Sequence, residues 1–171
     1  METQSPSGGA DEALLRSAYR LALSSPDNST QNGAFLLDRS TGSSLLFATG
    51  AWNDLPAGVE YDGYRWERPA KYQYVEHAER ACIFKAARLG LRTEGLTMVA
   101  AWAACADCAR ALIGAGIKHL ITHNIGGDQR WDESISVGMT MLEEAGVKVT
   151  TVTTKLGQCA PVRRSGVLVS P

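Results

Sequence analysis

Two short motifs constrain this chain more than any other feature of its sequence. They are His77-Ala78-Glu79 and Cys105-Ala106-Asp107-Cys108, each predicted at the N-terminal end of a helix that follows an irregular segment. Cys105 and Cys108 are three positions apart, so a helix presents both thiols on one face. The N-terminus of a helix carries partial positive charge, which lowers the pKa of a thiol and favours thiolate ligands. We therefore expect two helix N-termini that carry metal-binding side chains.

The side chains of His77, Cys105 and Cys108 are the predicted ligands of one Zn²⁺ ion. Zinc is tetrahedral in proteins, and three protein ligands leave one position open, which is typical of catalytic sites. Water at such a position has its pKa lowered to about 7, so hydroxide is available at neutral pH. The alternative is a closed structural site, whose fourth ligand would come from the remaining cysteines and histidines. These are Cys82, His119, His123 and Cys159.

Glu79 is the predicted catalytic acid and base. It follows His77 by two positions at the helix entry, which places a carboxylate beside the metal without making it a ligand. Such a group can take a proton from water and deliver it to a substrate nitrogen. Hydrolytic deamination of an amino-substituted ring needs both transfers, because water adds to the ring carbon and the amino group leaves as ammonia.

Composition excludes several classes of partner. The chain has 171 residues, 44% of them hydrophobic, which predicts one compact domain. Lys and Arg number 17 and Asp and Glu 18, so no basic excess is available for a nucleic-acid polymer. The most apolar stretch, 98–117, contains Asp107 and Arg110, so no membrane span is predicted. The N-terminus lacks the pattern of a signal peptide, and a cytoplasmic location with reduced cysteines is expected.

The predicted element order is a helix, a hairpin, and then strands and helices in alternation. This order predicts an α/β three-layer sandwich with a central mixed sheet, and the helix between the last two strands makes them parallel. The domain is predicted over residues 11–156, with a flexible tail at 1–10 and a C-terminal tail at 157–171. The predicted helices are 11–22, 75–89, 105–114 and 132–144, with Asp11 and Asp132 as N-caps, and the predicted strands are 33–37, 45–49, 98–102, 118–122 and 147–153.

The spacing of the two motifs resembles that of the cytidine/deoxycytidylate deaminase superfamily, whose signature is H-x-E followed by P-C-x-x-C. The segments Gly50–Val59 and Lys71–Arg80 also resemble the deoxycytidylate deaminase branch. The resemblance implies a five-stranded sheet flanked by helices, one zinc per subunit, and a homodimer or higher homo-oligomer. It further implies that Asn53 contacts the substrate and that the peptide N–H of Ala78 orients a ring carbonyl.

The sequence departs from this family around the metal. Ala104 stands where the family usually has proline before the first zinc cysteine, and Ala81 stands where an asparagine is common. Trp102 is the largest change, because a bulky ring beside the metal can stack on a flat heterocycle and leaves less room for a sugar. The family's substrate therefore does not transfer directly.

Further substrate contacts are predicted on either side of the motifs. Arg65, Arg68 and Lys71 cluster before the first motif and are candidates to hold a 5′-phosphate, although an exposed basic loop is the plainer interpretation. Glu143 is the best candidate for a second carboxylate that binds the ring or reaches a neighbouring subunit's site.

The sequence predicts a zinc-dependent aminohydrolase acting on a small amino-substituted N-heterocycle. The altered, aromatic pocket favours a free nucleobase or base analogue of cytosine, triazine or guanine type. The alternative is deoxycytidylate, which the family resemblance and the basic cluster support. Two further alternatives are a non-catalytic module that keeps zinc only for stability and a tRNA-editing deaminase.

Overall fold

A computed structural model describes residues 8–39, 46–126 and 129–171. The helices are α1 (Gly8–Ala22), α2 (Lys71–Tyr74), α3 (Ala78–Arg88), α4 (Ala106–Gly114) and α5 (Asp132–Glu144), with 3-10 turns at Gly63–Trp66 and Gln129–Trp131. The strands are β1 (Gly33–Asp38), β2 (Leu46–Trp52), β3 (Thr97–Ala100), β4 (His119–His123), β5 (Lys148–Val152), β6 (Val162–Arg164) and β7 (Val167–Val169).

The central sheet has five strands in the order β2-β1-β3-β4-β5. β1 pairs antiparallel with both β2 and β3, whereas β3, β4 and β5 run parallel. Helices α4 and α5 make the two crossovers between the parallel strands, as such connections require. The predicted mixed sheet with parallel last strands is confirmed. The loop proposed between the hairpin strands lies largely outside the described residues.

The side chains of β1 point alternately to the two faces of the sheet, and each face has its own apolar core. Ala34 and Leu36 face one apolar cluster, and Phe35 and Leu37 face the other, as the two-residue period of a strand requires. The first cluster is closed by α3, α4 and α5, and the second by α1 and the C-terminal segment. A β1 buried on both faces explains why its sequence is continuously apolar.

Helix α1 lies very close to the start of β1. A Cβ at Gly33 would clash with the backbone of Ala18 and Ala22, so only glycine allows this approach. The helix begins at Gly8, three positions before the predicted N-cap Asp11, which lies in its first turn. Asp11 instead faces Arg39, with 3.7 Å between Oδ1 and Nη1. An acidic residue in the first turn and a true N-cap look alike in sequence, so the predicted N-cap at Asp11 is wrong. The prediction of Asp132 as an N-cap is wrong for the same reason, because Trp131 is the N-cap of α5.

The segment predicted as a C-terminal tail from residue 157 contains the antiparallel pair β6 and β7. Val162 is fully buried in the second core, and the N–H of Gln31 donates to the carbonyl oxygen of Arg163 at 2.9 Å. Its short strands include consecutive arginines, so the sequence gives no alternating apolar pattern there. This segment lies against the loop that precedes β1, which also borders the site described below. None of the helices in the described ranges combines the length and apolar character of a membrane span.

Candidate active site

Two helix N-termini meet at one edge of the sheet, as the motifs predicted. His77 is the N-cap of α3 and Cys105 the N-cap of α4, both with extended backbone. A bridge between Asp54 and Glu76 fixes the residue before His77, with N–H···O distances of 2.8 and 3.2 Å. Helix α5 packs directly on the Cys105 turn, because a Cβ at Gly138 would lie 2.9 Å from the carbonyl oxygen of Ala104.

The three predicted ligands lie together. Nδ1 of His77 is 3.6 Å from Sγ of Cys105 and 3.5 Å from Sγ of Cys108. A tetrahedral zinc with metal–sulfur and metal–nitrogen distances of about 2.3 and 2.05 Å separates such ligands by about 3.6 Å. The observed spacing therefore fits zinc. Among the described residues, His77, Cys105 and Cys108 are the group of three with metal-binding geometry, and no fourth side chain joins them.

Cys105 is placed to lose its proton, whereas the hydrogen bond with Cys105 and burial hold the pKa of the Cys108 thiol well above its ordinary value. The pKa of Cys105 is lowered to about 4, chiefly because the Cys108 thiol donates a hydrogen bond to it and further because His77 lies beside it. Arg80 adds positive charge next to this pair, and it is held in place by Glu76 and by Asp107 at 3.3 Å. Thiolates are the form that binds metal.

Glu79 lies in the same cavity, in the first turn of α3. Its side chain is buried, and its Oε2 accepts a 3.0 Å hydrogen bond from Nδ2 of Asn32. Burial raises the pKa of Glu79 to about 7. A carboxyl group with this pKa exchanges protons readily near neutral pH, which suits a general acid and base.

A cavity of about 150 Å³ opens beside these groups. His77, Glu79 and Cys105 line its inner end. Its walls come from the loop before β1, the segment before α3, the end of β3, α5 and the C-terminal hairpin. Four arginine or lysine side chains border it, namely Arg68, Lys71, Arg80 and Arg164, against two acidic ones, Glu79 and Asp107.

The family model for the zinc-binding region of cytidine and deoxycytidylate deaminases matches residues 9–124. The chain belongs to the cytidine and deoxycytidylate deaminase family. It is thus a hydrolytic deaminase acting on C–N bonds. An uncharacterized deaminase of Aliivibrio fischeri is 34% identical over 128 residues, covering 74% of this chain and 82% of that relative. Mouse deoxycytidylate deaminase is 32% identical over 116 residues, covering 64% of this chain and 62% of the mouse enzyme.

Solved structures confirm the fold of this deaminase. The deoxycytidylate deaminase of cyanophage S-TIM5, in complex with dCMP and dUMP, superposes with a TM-score of 0.67 at 23% identity. The superposition covers 88% of this chain and all of the phage chain. The predicted three-layer sandwich with a five-stranded sheet is therefore confirmed.

The structure gives Asn53 and Ala78 a role that the resemblance did not imply. Oδ1 of Asn53 accepts the N–H of Ala78 at 2.9 Å, and its Nδ2 donates to the carbonyl oxygen of Thr30 at 3.1 Å. The Ala78 N–H was expected to point at the substrate, yet here it is bound by Asn53. Asn53 itself lines the cavity and ties the start of α3 to the loop before β1.

Trp102 lines the cavity of the deaminase and lies just after β3, outside the strand that was predicted to end at residue 102. Its Nε1 donates to the carbonyl oxygen of Gln31 at 2.9 Å, and Tyr19 packs against it edge-on with ring centroids 5.3 Å apart. The guanidinium of Arg164 lies 4.1 Å from the centre of its ring. One face of the indole is thus covered by a cation, which leaves less of it for stacking on a substrate.

The predicted phosphate cluster is only partly gathered at the cavity. Arg65 lies outside it, donating to the carbonyl oxygen of Glu60 at 2.6 Å and stacking 4.8 Å over the ring of Tyr74. Lys71 borders the cavity but is buried and paired with Asp27. Arg68 is exposed at the cavity and bonds to two neutral hydroxyls, those of Ser29 and Tyr72.

Glu143 lies outside the cavity, which corrects the expectation that it contacts substrate there. It is exposed near the end of α5, whereas its neighbour Leu142 is buried in the core. Successive helix residues are about 100° apart, so the two cannot share a face. Helix α5 contributes Ile135 to the cavity instead. Trp131, which directly precedes α5, packs edge-on against His77 with ring centroids 5.5 Å apart.

The histidines and cysteines proposed for a closed zinc site lie elsewhere in the described chain. His123 is buried between the hydroxyl of Tyr19 at 2.7 Å and the carbonyl oxygen of Thr154 at 2.9 Å. The Cys82 thiol donates to the carbonyl oxygen of Ala34, which satisfies it inside the core.

Asn32, Trp131 and Arg164 are among the cavity residues that were not predicted from sequence. Asn32 precedes an apolar strand, a position where an asparagine is most often a simple turn residue. Arg164 lies far from both motifs in the chain, so no local pattern pointed to it.

Proposed function

We propose that this deaminase converts deoxycytidylate to deoxyuridylate and ammonia. The observation that carries the proposal is the cavity itself, which joins a zinc-type ligand set to Glu79 and borders on more basic than acidic side chains. The curated deoxycytidylate deaminases among its relatives support a nucleotide over the free nucleobase that the altered pocket favoured. We therefore propose deoxycytidylate, the alternative substrate in the sequence analysis, in place of a free nucleobase.

His77, Cys105 and Cys108 would hold the zinc ion, because their donor atoms have the required type and spacing. When bound there, zinc supplies a Lewis acid that makes water nucleophilic at neutral pH. The N-terminus of α4, whose N-cap is Cys105, favours the thiolate form of that residue.

Glu79 moves the protons of the reaction. As the water oxygen bonds to ring carbon C4, Glu79 takes one proton from it and passes that proton to ring nitrogen N3. It then takes the second proton and delivers it to the amino nitrogen, which leaves as ammonia when its bond to C4 breaks. Burial of Glu79 supports this role, because it holds the acid and base forms close in free energy.

The substrate's phosphate would lie near Arg68 and Arg164. Both line the cavity, one from the segment before α2 and the other from β6. Arginine binds phosphate through paired N–H donors, so two arginines that line one cavity favour an anionic substrate. Asn53 and Trp102 would form the wall beside the sugar and base, as their lining positions suggest.

The test is ammonia release by the purified, zinc-loaded protein. The substrates are deoxycytidylate, deoxycytidine, cytosine, 5-methylcytosine, guanine, adenine and amino-triazines. We expect kcat/KM for deoxycytidylate to exceed that for deoxycytidine and cytosine by at least about 100-fold, since a bound phosphate contributes charge-assisted hydrogen bonds. Equal or faster turnover of a free base would overturn the nucleotide assignment.

A further inference from the structure

Asn32 is a buried amide in the wall of the active-site cavity, directly before β1. It is 5% exposed, and its Nδ2 donates to Oε2 of Glu79 at 3.0 Å. The two residues are 47 positions apart and belong to different layers of the fold. The hydrogen bond therefore connects the entry of the central sheet to the first turn of α3.

The other end of the amide is unsatisfied. Within the described ranges, Oδ1 of Asn32 is shielded from solvent and has no hydrogen-bond partner. A buried acceptor without a donor destabilises a fold, whereas an apolar side chain of the same shape carries no such penalty. The position is thus occupied by a side chain that the packing alone disfavours.

The backbone of Asn32 is held firmly while its side chain faces Glu79. Its carbonyl oxygen accepts the N–H of Asn53 at 3.0 Å, and Asn53 in turn binds the N–H of Ala78. The loop before β1 and the start of α3 are therefore connected twice, once through Asn53 and once through the Asn32–Glu79 contact. A glutamate side chain has three rotatable torsions, and a fixed donor on one oxygen restricts where the carboxylate can lie.

We propose that Asn32 is a positioning residue for Glu79. Asn32 holds Oε2 so that the carboxylate of Glu79 remains directed at the reacting atoms. The unsatisfied Oδ1 of Asn32 lowers the stability of the fold, and the benefit of keeping asparagine here is faster proton transfer by Glu79. This inference rests on the proposed role of Glu79 in deamination. It does not depend on which amino-substituted ring is the natural substrate.

Asn32→Leu is the variant that separates positioning from structure, because leucine has the same branched shape without either polar atom. We expect kcat to fall about 10- to 100-fold, as small displacements of a catalytic group do, with KM changed by less than about threefold. Zinc content should stay at the wild-type level. The melting temperature should change little, because removal of the unsatisfied Asn32 oxygen offsets the loss of the donor to Oε2 of Glu79. A merely structural asparagine would give the opposite pattern, a lower melting temperature with kcat preserved.

Thr49→Val is the matched control. Thr49 is also buried, on β2, and its hydroxyl has no partner among the described residues, but it does not line the cavity. We expect its kcat and KM to be those of the wild type. Asn32→Ser serves as a second variant if leucine prevents folding, since its hydroxyl is too short to reach Glu79 and it should lose kcat in the same way.

The assay uses whichever amino-substituted ring the wild-type enzyme deaminates fastest. Wild-type kcat retained within twofold by a zinc-loaded Asn32 variant would overturn the positioning role, and so would a raised KM with unchanged kcat. Lack of any turnover by the wild type would refute the proposed function instead, and the two failures are thereby distinguished.

Discussion

The ammonium nitrogen of Lys71 lies 2.6 Å from Oδ2 and 2.7 Å from Oδ1 of Asp27. Their side chains are 9% and 1% exposed, so this is a buried ion pair. Asp27 also accepts the N–H groups of Ser29 and Thr30, at 2.8 and 3.0 Å. Burial lowers the pKa of Lys71, and Asp27 opposes that shift. The lysine predicted to bind phosphate is therefore already neutralised, and the pair instead shapes the loop that carries Asn32.

Asp27→Asn should destabilise the protein strongly, because it leaves a buried ammonium without its counter-charge. Loss of one partner of such a pair typically costs about 3–5 kcal/mol. Urea unfolding followed by circular dichroism measures the change. The double variant Asp27→Asn/Lys71→Met should recover part of the loss, since no charge remains buried. The two side chains do not interact if the double variant loses as much unfolding free energy as Asp27→Asn and Lys71→Met lose in total.

Glu79→Gln should abolish catalysis while preserving the fold. Glutamine has the shape of glutamate but cannot exchange protons, so ammonia release should fall by at least about 10³-fold. Zinc measured by mass spectrometry should remain at the wild-type level, whereas Cys108→Ser should lose both zinc and activity. An unaltered rate in Glu79→Gln would exclude Glu79 as the acid and base, whereas no ammonia release by the zinc-loaded wild type would favour the non-catalytic zinc module.

Arg164→Leu should weaken the binding of a phosphorylated substrate only. We expect KM for deoxycytidylate to rise about 10-fold or more, the effect of losing one charge-assisted hydrogen bond, while the slower reaction of deoxycytidine is unaffected. Arg163→Leu is the control, because it removes the same charge from a neighbour that does not line the cavity. Identical kinetics for the two variants would place the phosphate elsewhere.

His119 should make stability depend on pH below neutrality. Burial, together with the nearby charges of Lys148 and Arg39, lowers its pKa to about 4, against about 6.5 in an unfolded chain. The unfolded chain therefore binds more protons between these values, and stability falls as the pH drops from about 6.5 to 4. The free energy of unfolding in urea at pH 7 and pH 5 measures this.

His119→Asn should flatten that dependence, because asparagine does not titrate and can still bond to Thr150, which lies 2.9 Å from Nε2 of His119. The quantity compared is the difference in unfolding free energy between the two pH values, wild type against variant. An equal difference in both proteins would assign the pH dependence to other groups.

The motifs and the order of elements could be predicted because their signals are local. The positions of His77, Cys105 and Cys108 at helix N-termini follow from spacing and from the irregular segments before them. Gly90 follows the end of α3 with a positive φ of 66°, a conformation that favours glycine at this position. The helix starts at Asp11 and Asp132 were misplaced, because an acidic residue suits both the N-cap and the first turn.

The sequence by itself predicted the candidate zinc ligands and the candidate acid and base, and it determined the alternation of strands and helices, since each depends on residues that are close in the chain. Only the tertiary structure decided that Asn32 bonds to Glu79, that Asn53 binds the N–H of Ala78, and that Arg164 borders the cavity. These contacts join segments separated by tens of residues. They form only after the sheet order brings the loop before β1, the start of α3 and the C-terminal hairpin to the same edge, and no periodicity in the chain encodes that meeting.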